Sequence, residues 1–314
     1  MKKINDTVIL LAFLLLFIGL VFVLPSGIAP NLIGTNNKNV TVTTFVNITH
    51  SKPEVLNVTV YEAINLSNRN ITINAGSTKT VYCNATLRDW DGFNDITKVN
   101  ATLYYMPTSN HTAFDNNNSH YTNSTCTLNG TGPIGYLGWF ICSFDVQYFA
   151  NNGTWSCNMT IVNSWNYTNY GSNTTIFYPV YALNVTDGID YGGVSVYSFS
   201  NDTIANLTNL GNMAINVTVE GYGAKRGDNL AMNCTVNGNI SIENEHFSLT
   251  NGTNYDLKTN LTSTLGGLTI PGLTMPKQTI SGSPIVNLTY WQLYIPPNPA
   301  GNCTGAIIFT AIAP

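Results

Sequence analysis

Apolar and polar residues alternate with a period of two along most of this chain. That spacing marks half-buried strands, with one face on a core and the other in water. It predicts strands over residues 40–48, 56–61, 80–87, 99–105, 139–149 and 155–162. A second set follows over 194–199, 214–221, 229–236, 285–294 and 306–312. Clusters of Asn, Gly and Pro lie between these runs, as between the strands of a sandwich. Beyond the N-terminal apolar run no long amphipathic helix is visible, so the expected fold class is all-β.

The N-terminus breaks the alternation. Lys2 and Lys3 precede an uninterrupted apolar run from Val8 to Leu24, followed by Pro25, Ser26 and Gly27. Charge, apolar run and small residues in that order make a secretory signal. At 17 residues the run is also at the lower limit for spanning a bilayer, which keeps an N-terminal membrane anchor open, its lysines inside. No Lys-Gly or Arg-Gly pair precedes it, against a type-IV-pilin-like processing site. The organisation expected is a signal or anchor over 1–30 and a linker with one strand over 31–52. Two β-sandwich modules, 53–177 and 178–314, follow.

Composition sharpens the picture of the surface. The chain has 44 asparagines and 59 serines and threonines, and the motif Asn-x-Ser/Thr occurs 26 times with no Pro in the middle. Those frequencies give about 8 by chance, so the roughly threefold excess reads as selection for N-glycosylation acceptors. Strand alternation is the competing source, as in Asn216-Val-Thr-Val219, but Asn is depleted in strands. Only 9% of residues are charged, leaving hydration to neutral sugars. A net charge of −4 without a basic cluster argues against binding nucleic acid or anionic lipid. With 44% apolar and 11% aromatic residues, the chain can build a core.

Six cysteines in an exported chain read as three disulfides, with fifteen possible connectivities. No Cys-x-x-Cys spacing suggests a metal. Cys83 and Cys157 each begin Cys-Asn-x-Thr, and Cys234 and Cys303 each sit inside Asn-Cys-Thr. A residue beside an inward-facing strand cysteine points outward, so Asn84, Asn158, Asn233 and Asn302 are expected on the surface, with Asn216. Cys126 and Cys142 bracket Gly130, Gly132, Pro133 and Gly135 and read as closing a hairpin or long loop.

Gly153-Thr-Trp-Ser-Cys157 resembles the end of an immunoglobulin-like domain, with Trp155 where a tyrosine is usual. The separations of Cys83 from Cys157 and of Cys234 from Cys303 resemble that fold's inter-sheet bridge. No Trp stands where strand C carries one, leaving Tyr104 or Tyr105 for the position. The segments Ile189-Asp-Tyr-Gly-Gly-Val-Ser-Val196 and Asn209-Leu-Gly-Asn-Met-Ala-Ile-Asn-Val-Thr-Val219 resemble immunoglobulin-like modules of archaeal surface-layer-associated proteins. So does the ending, from Trp291 through Gly301-Asn-Cys-Thr-Gly305. The resemblance implies two tandem immunoglobulin-like sandwiches and a place in a cell envelope.

Candidate chemistry is sparse. Asp89, Asp91, Asn94 and Asp95 surround Gly92 with alternate oxygen ligands, as a Ca²⁺ loop requires, although no Glu closes the loop. A polar turn at Asp91-Gly92 is the plainer reading. His50, His111, His120 and His246 are scattered and read as surface residues. No nucleophile elbow, zinc-protease helix, phosphate loop or paired-carboxylate motif appears. The 17 tyrosines and five tryptophans suggest a sugar-stacking face or ordinary strand residues. Together these features predict a non-enzymatic, N-glycosylated cell-surface protein of structural or adhesive role. Its expected partners are other envelope proteins, with no cofactor beyond the candidate Ca²⁺. The alternatives are a filament subunit assembled by strand addition through 40–48, and a carbohydrate-binding module.

Overall fold

The computed structural model describes residues 41–62 and 70–314, and the N-terminal signal or anchor lies outside them. The chain divides into Met1–Thr49 and a compact unit, His50–Pro314. Of the first unit, residues 41–49 are described; they form no strand and are exposed throughout. The strand expected over 40–48 is therefore not formed there. Alternation specifies a strand only where a neighbour can pair its N–H and C=O groups, and a lone strand leaves them to water.

In the second unit nine strands come first: β1 (Glu54–Tyr61), β2 (Asn70–Ile71), β3 (Lys79–Arg88), β4 (Ile96–Tyr105), β5 (His120–Asn123), β6 (Thr127–Thr131), β7 (Leu137–Val146), β8 (Gly153–Asn163) and β9 (Thr168–Phe177). One sheet has the order β1-β3-β7-β6 and the other β2-β9-β8-β4-β5. This is the distribution of an immunoglobulin-like sandwich, strands A, B, E, D on one sheet and C, F, G on the other. Alternation on β3 sets Val81, Cys83, Ala85 and Leu87 inward and fully buried. The Cys83–Cys157 bridge joins β3 to β8, hence sheet to sheet. Trp155 is fully buried, stacks on Phe177 at 4.7 Å, and donates from Nε1 to the Asn151 carbonyl at 2.7 Å. It makes with an indole N–H the backbone bond that a tyrosine hydroxyl makes at this corner. Leu103, not Tyr104 or Tyr105, stands in register with Cys157 and fills the core there.

Strand β9 was not legible in the alternation, because its inward positions include Asn169, Gly171 and Asn173. Asn169 Nδ2 donates to the Pro53 carbonyl at 2.9 Å and Asn173 Nδ2 to the Val58 carbonyl at 2.6 Å. Gly171 lies so close to β1 that a Cβ would come within 2.6 Å of Val55 Cγ1. Side-chain amides and a missing side chain thus close the sandwich where apolar residues were expected.

Twelve strands build the rest: β10 (Leu183–Val185), β11 (Ser198–Phe199), β12 (Thr203–Asn209), β13 (Ile215–Tyr222), β14 (Leu230–Cys234), β15 (Asn239–Ser241), β16 (Glu245–Ser248), β17 (Thr259–Asn260), β18 (Leu268–Met275), β19 (Val286–Ile295), β20 (Cys303–Thr304) and β21 (Ala306–Ile312). Strands β10-β12-β19-β16-β17 form one sheet and β18-β13-β21 a second, with a small third sheet, β15-β14-β20. The first two share a core around Trp291, Phe247, Val217 and Val219. Of the run 194–199 only Ser198 and Phe199 pair.

Cys234 and Cys303 are bonded as expected, but they are in-register neighbours inside the small sheet. The reading of this bridge as inter-sheet is corrected, and both cysteines are half-buried rather than fully inward. A separation in sequence says which ends meet, not in which layer. Cys126, just before β6, is bonded to Cys142 on β7 and closes that hairpin.

Polar contacts join the two cores. Asn212 Nδ2 donates to the Tyr178 carbonyl at 3.1 Å, and its Oδ1 accepts from Val180 N at 2.6 Å. Lys277 Nζ donates to the Phe149 carbonyl at 2.7 Å, to Asn151 Oδ1 at 2.6 Å and to Asn118 Oδ1. Burial holds the Lys277 ammonium down to about 8.

Candidate functional site

The acceptor asparagines are the most numerous candidates, and burial sorts them. Twenty-three of the 26 lie among the described residues, and one of them, Asn158, is buried. Three asparagines outside the motif, Asn163, Asn209 and Asn212, are buried at 0–1% exposure. These non-acceptors do structural work: Asn209 Nδ2 donates to the carbonyls of Met213, Met275 and Pro276. Burial thus takes one of the 23 motif asparagines and three of the other 14 described. Asn233 and Asn302 are exposed, and Asn84 and Asn216 half-buried. Asn158 is 6% exposed, which corrects its outward reading. It sits on β8 in the middle of its sheet, flanked in register by Thr102 and Ser172.

Carboxylate oxygens of Asp89, Asp91 and Asp95 converge to within 4.8 Å of one another. The turn after β3 and the 3-10 turn Phe93–Asp95 bring them together, while Asn94 is exposed. Asp89 is fully buried, and Oδ1 accepts from Ser51 Oγ at 3.1 Å and Asp91 N at 3.0 Å. Asp91 Oδ2 accepts from Ser51 N at 2.7 Å, and Asp95 Oδ1 from Ser164 Oγ. These bonds tie residue 51, the β3 turn and the β8–β9 turn, and they occupy much of the oxygen valence a cation would need. Trp165 stacks on His50 at 3.6 Å beside the cluster.

A cavity of about 410 Å³ escaped the sequence reading. Its walls are Val185 from β10, Ile189 and Tyr191 from the following segment, Met232 from β14, and Ile307 and Phe309 from β21. Glu245 of β16 also lines it, at 2% exposure. Tyr191 hydroxyl donates to Glu245 Oε1 at 2.6 Å. Burial pushes the Glu245 carboxyl up to about 7, partly offset by that bond. Burial and the same carboxylate raise the Tyr191 phenol. No motif flags Glu245; its only signal is an acid on a strand that is otherwise buried.

The histidines are not all superficial. His120 is fully buried with Nδ1 2.7 Å from Asp115, and His246 is buried between the carbonyls of Tyr255 and Glu243. His111 stacks on Tyr170. Of the adjacent aromatic pairs, Trp291 is buried and Tyr290 half-exposed, whereas Tyr104 and Tyr105 are both half-exposed.

No family model and no curated relative matches the chain. Among solved structures it is similar to a chaperone–tip adhesion subunit pre-assembly complex from archaic chaperone-usher Csu pili of Acinetobacter baumannii. That likeness has 10% identity, covers 77% of this chain and 96% of the other, and has a TM-score of 0.38. It is also similar to the C-terminal domain of the AgI/II polypeptide BspA of Streptococcus agalactiae. There identity is 10%, coverage 82% and 95%, and the TM-score 0.21. At these scores the likenesses carry no weight beside the strand order and burial described above.

Proposed function

We propose that this chain is a non-enzymatic, N-glycosylated structural or adhesion protein of the cell surface. The observation that carries the reading is the distribution of asparagine: one of the 23 described motif asparagines is buried, against three of the other 14. Three disulfides with no free cysteine fit an exported chain in an oxidising setting. Glycans on the polar strand faces supply the hydration that few charges leave wanting, and other envelope proteins are its partners. The resemblance of 178–314 to archaeal surface-layer-associated modules belongs to the same reading. Peptide mass spectrometry of native protein tests it: occupied acceptors and an exported N-terminus are expected. Finding most exposed acceptors bare would overturn the reading.

A second reading is an extracellular filament subunit assembled by strand addition. One observation favours it: Val42, Val46 and Ile48 lie in an alternating segment at 76%, 83% and 77% exposure, with no strand formed. Deleting 41–48 is expected to abolish polymers and leave soluble monomers.

A further inference from the structure

We propose that the free edge of β21 is the acceptor for residues 41–48 of a second copy of this chain. The inference rests on the filament reading and adds what that reading lacks, the surface that receives the strand.

Free sheet edges invite pairing, and proteins blunt them with charge, proline, bulges or short strands. Three described edge strands exceed five residues: β1, β18 and β21. Glu54 on β1 is paired with Arg88, β1 has an irregular register between Val55 and Asn57, and Asn57 is a glycan acceptor. Strand β18 carries Pro271 and Gly272 at its centre and a register shift against β13. Strand β21 has none of these devices. Its sequence, Ala-Ile-Ile-Phe-Thr-Ala-Ile, pairs with β13 through seven unbroken register positions on one side only. It holds no charge, Pro, Gly or acceptor asparagine.

The cavity adds an apolar floor. Ile307 and Phe309 of β21 line it, and so does Val185 on β10, the edge strand of the facing sheet. A strand laid along β21 would set its inward residues over this opening between the two sheets.

The segment 41–48 matches on three counts. Its even positions, Val42, Val46 and Ile48, offer one apolar face with Thr44, while the odd face carries Thr41, Thr43, Phe45 and Asn47, the last an acceptor whose glycan must stay outside. It has the length of β21, within one residue. Charge is complementary: no acid occurs between Asp6 and Glu54, and Lys38 and Lys52 bracket the segment. The cavity side presents Asp187, with Asp190 adjoining.

The test uses full-length native chain and five variants, followed by sedimentation. Thr310→Lys places a charge on β21 at its exposed position; loss of species larger than monomer, with an unchanged melting curve, is expected. In a mixture of Phe45→Cys and Thr310→Cys chains, whose positions share the outward face, oxidation is expected to give the mixed disulfide dimer, identified by mass. If deletion of 41–48 abolishes assembly but Thr310→Lys assembles and the mixed dimer is absent, the filament reading stands and β21 is not its acceptor. Native chain that stays monomeric, or that assembles equally without 41–48, overturns both. A Phe45→Cys/Thr310→Cys double variant that closes only within its own chain overturns the second copy as occupant.

Discussion

Replacing Glu245 by Gln should change the pH dependence of stability more than stability itself. Glu245 stands opposite Leu293 on β16, 2% exposed, and the Tyr191 hydroxyl donates the hydrogen bond that holds its carboxyl. Burial pushes its pKa to about 7 from the ordinary 4.5. A raised carboxyl pKa means that the folded state holds a proton which the unfolded state releases. The associated stability is therefore complete below about pH 4.5 and lost as pH rises through about 7. At about 1.36 kcal/mol per pH unit, the gap corresponds to roughly 3 kcal/mol, a ceiling because the cavity admits water. Glu245→Gln keeps the shape and cannot ionise. Melting temperatures of both proteins, taken from pH 4 to 9, should diverge between about pH 4.5 and 7 and keep a constant gap above that. The wild type should fall by about 6–12 °C relative to the variant, at about 2–4 °C per kcal/mol for a unit of this size. Parallel curves would refute the assignment of a neutral buried acid. Tyr191→Phe removes the donor and should move the wild-type inflection to higher pH.

Other outcomes follow from named contacts. Trp155→Phe keeps the ring against Phe177 but strands the Asn151 carbonyl, and should cost about 1–3 kcal/mol in urea unfolding. Under mild reductant, alkylation should label Cys234 and Cys303 before Cys83 and Cys157, since the first pair is half-buried and the second fully buried. Replacing Cys83 and Cys157 together by Ala frees a loop with a separation of 74 residues and should cost about 4 kcal/mol. Lys277→Met leaves three acceptors without their donor and should lower stability by about 2–3 kcal/mol, read by the same urea titration. Chelation with EDTA should leave the melting temperature unchanged, because Asp89 and Asp91 already accept protein hydrogen bonds. A drop reversed by added Ca²⁺ would instead make them ligands.

Where a strand has one face on an apolar core, its alternation announced it: β3, β4 and β8 lie within a few residues of the runs read from the sequence. Strand β9 stayed silent because amide hydrogen bonds replace apolar burial on its inner face. Segment 40–48 spoke for a strand without having a sheet to join. The cysteine contexts identified the right partners, since a sulfur beside an acceptor asparagine marks a strand position. They could not distinguish a bridge between layers from one between neighbours in a sheet, which depends on three-dimensional stacking. Asn158 failed for a related reason: outward on a strand means exposed only when nothing flanks that strand. Glu245 was illegible altogether, because the cavity around it is assembled from four distant parts of the chain.

The two long-range bridges also fix how the protein responds to a pull. Tension applied at both ends of the His50–Pro314 unit cannot extend the chain between Cys83 and Cys157, or between Cys234 and Cys303. With separations of 74 and 69 residues, these loops hold more than half of the unit. At about 3.5 Å per residue, roughly 500 Å of contour is kept out of reach even after the sheets have torn. A tether built this way stretches a short distance and then stiffens sharply. In a force–extension trace the contour gained on unfolding should roughly double once reductant is added.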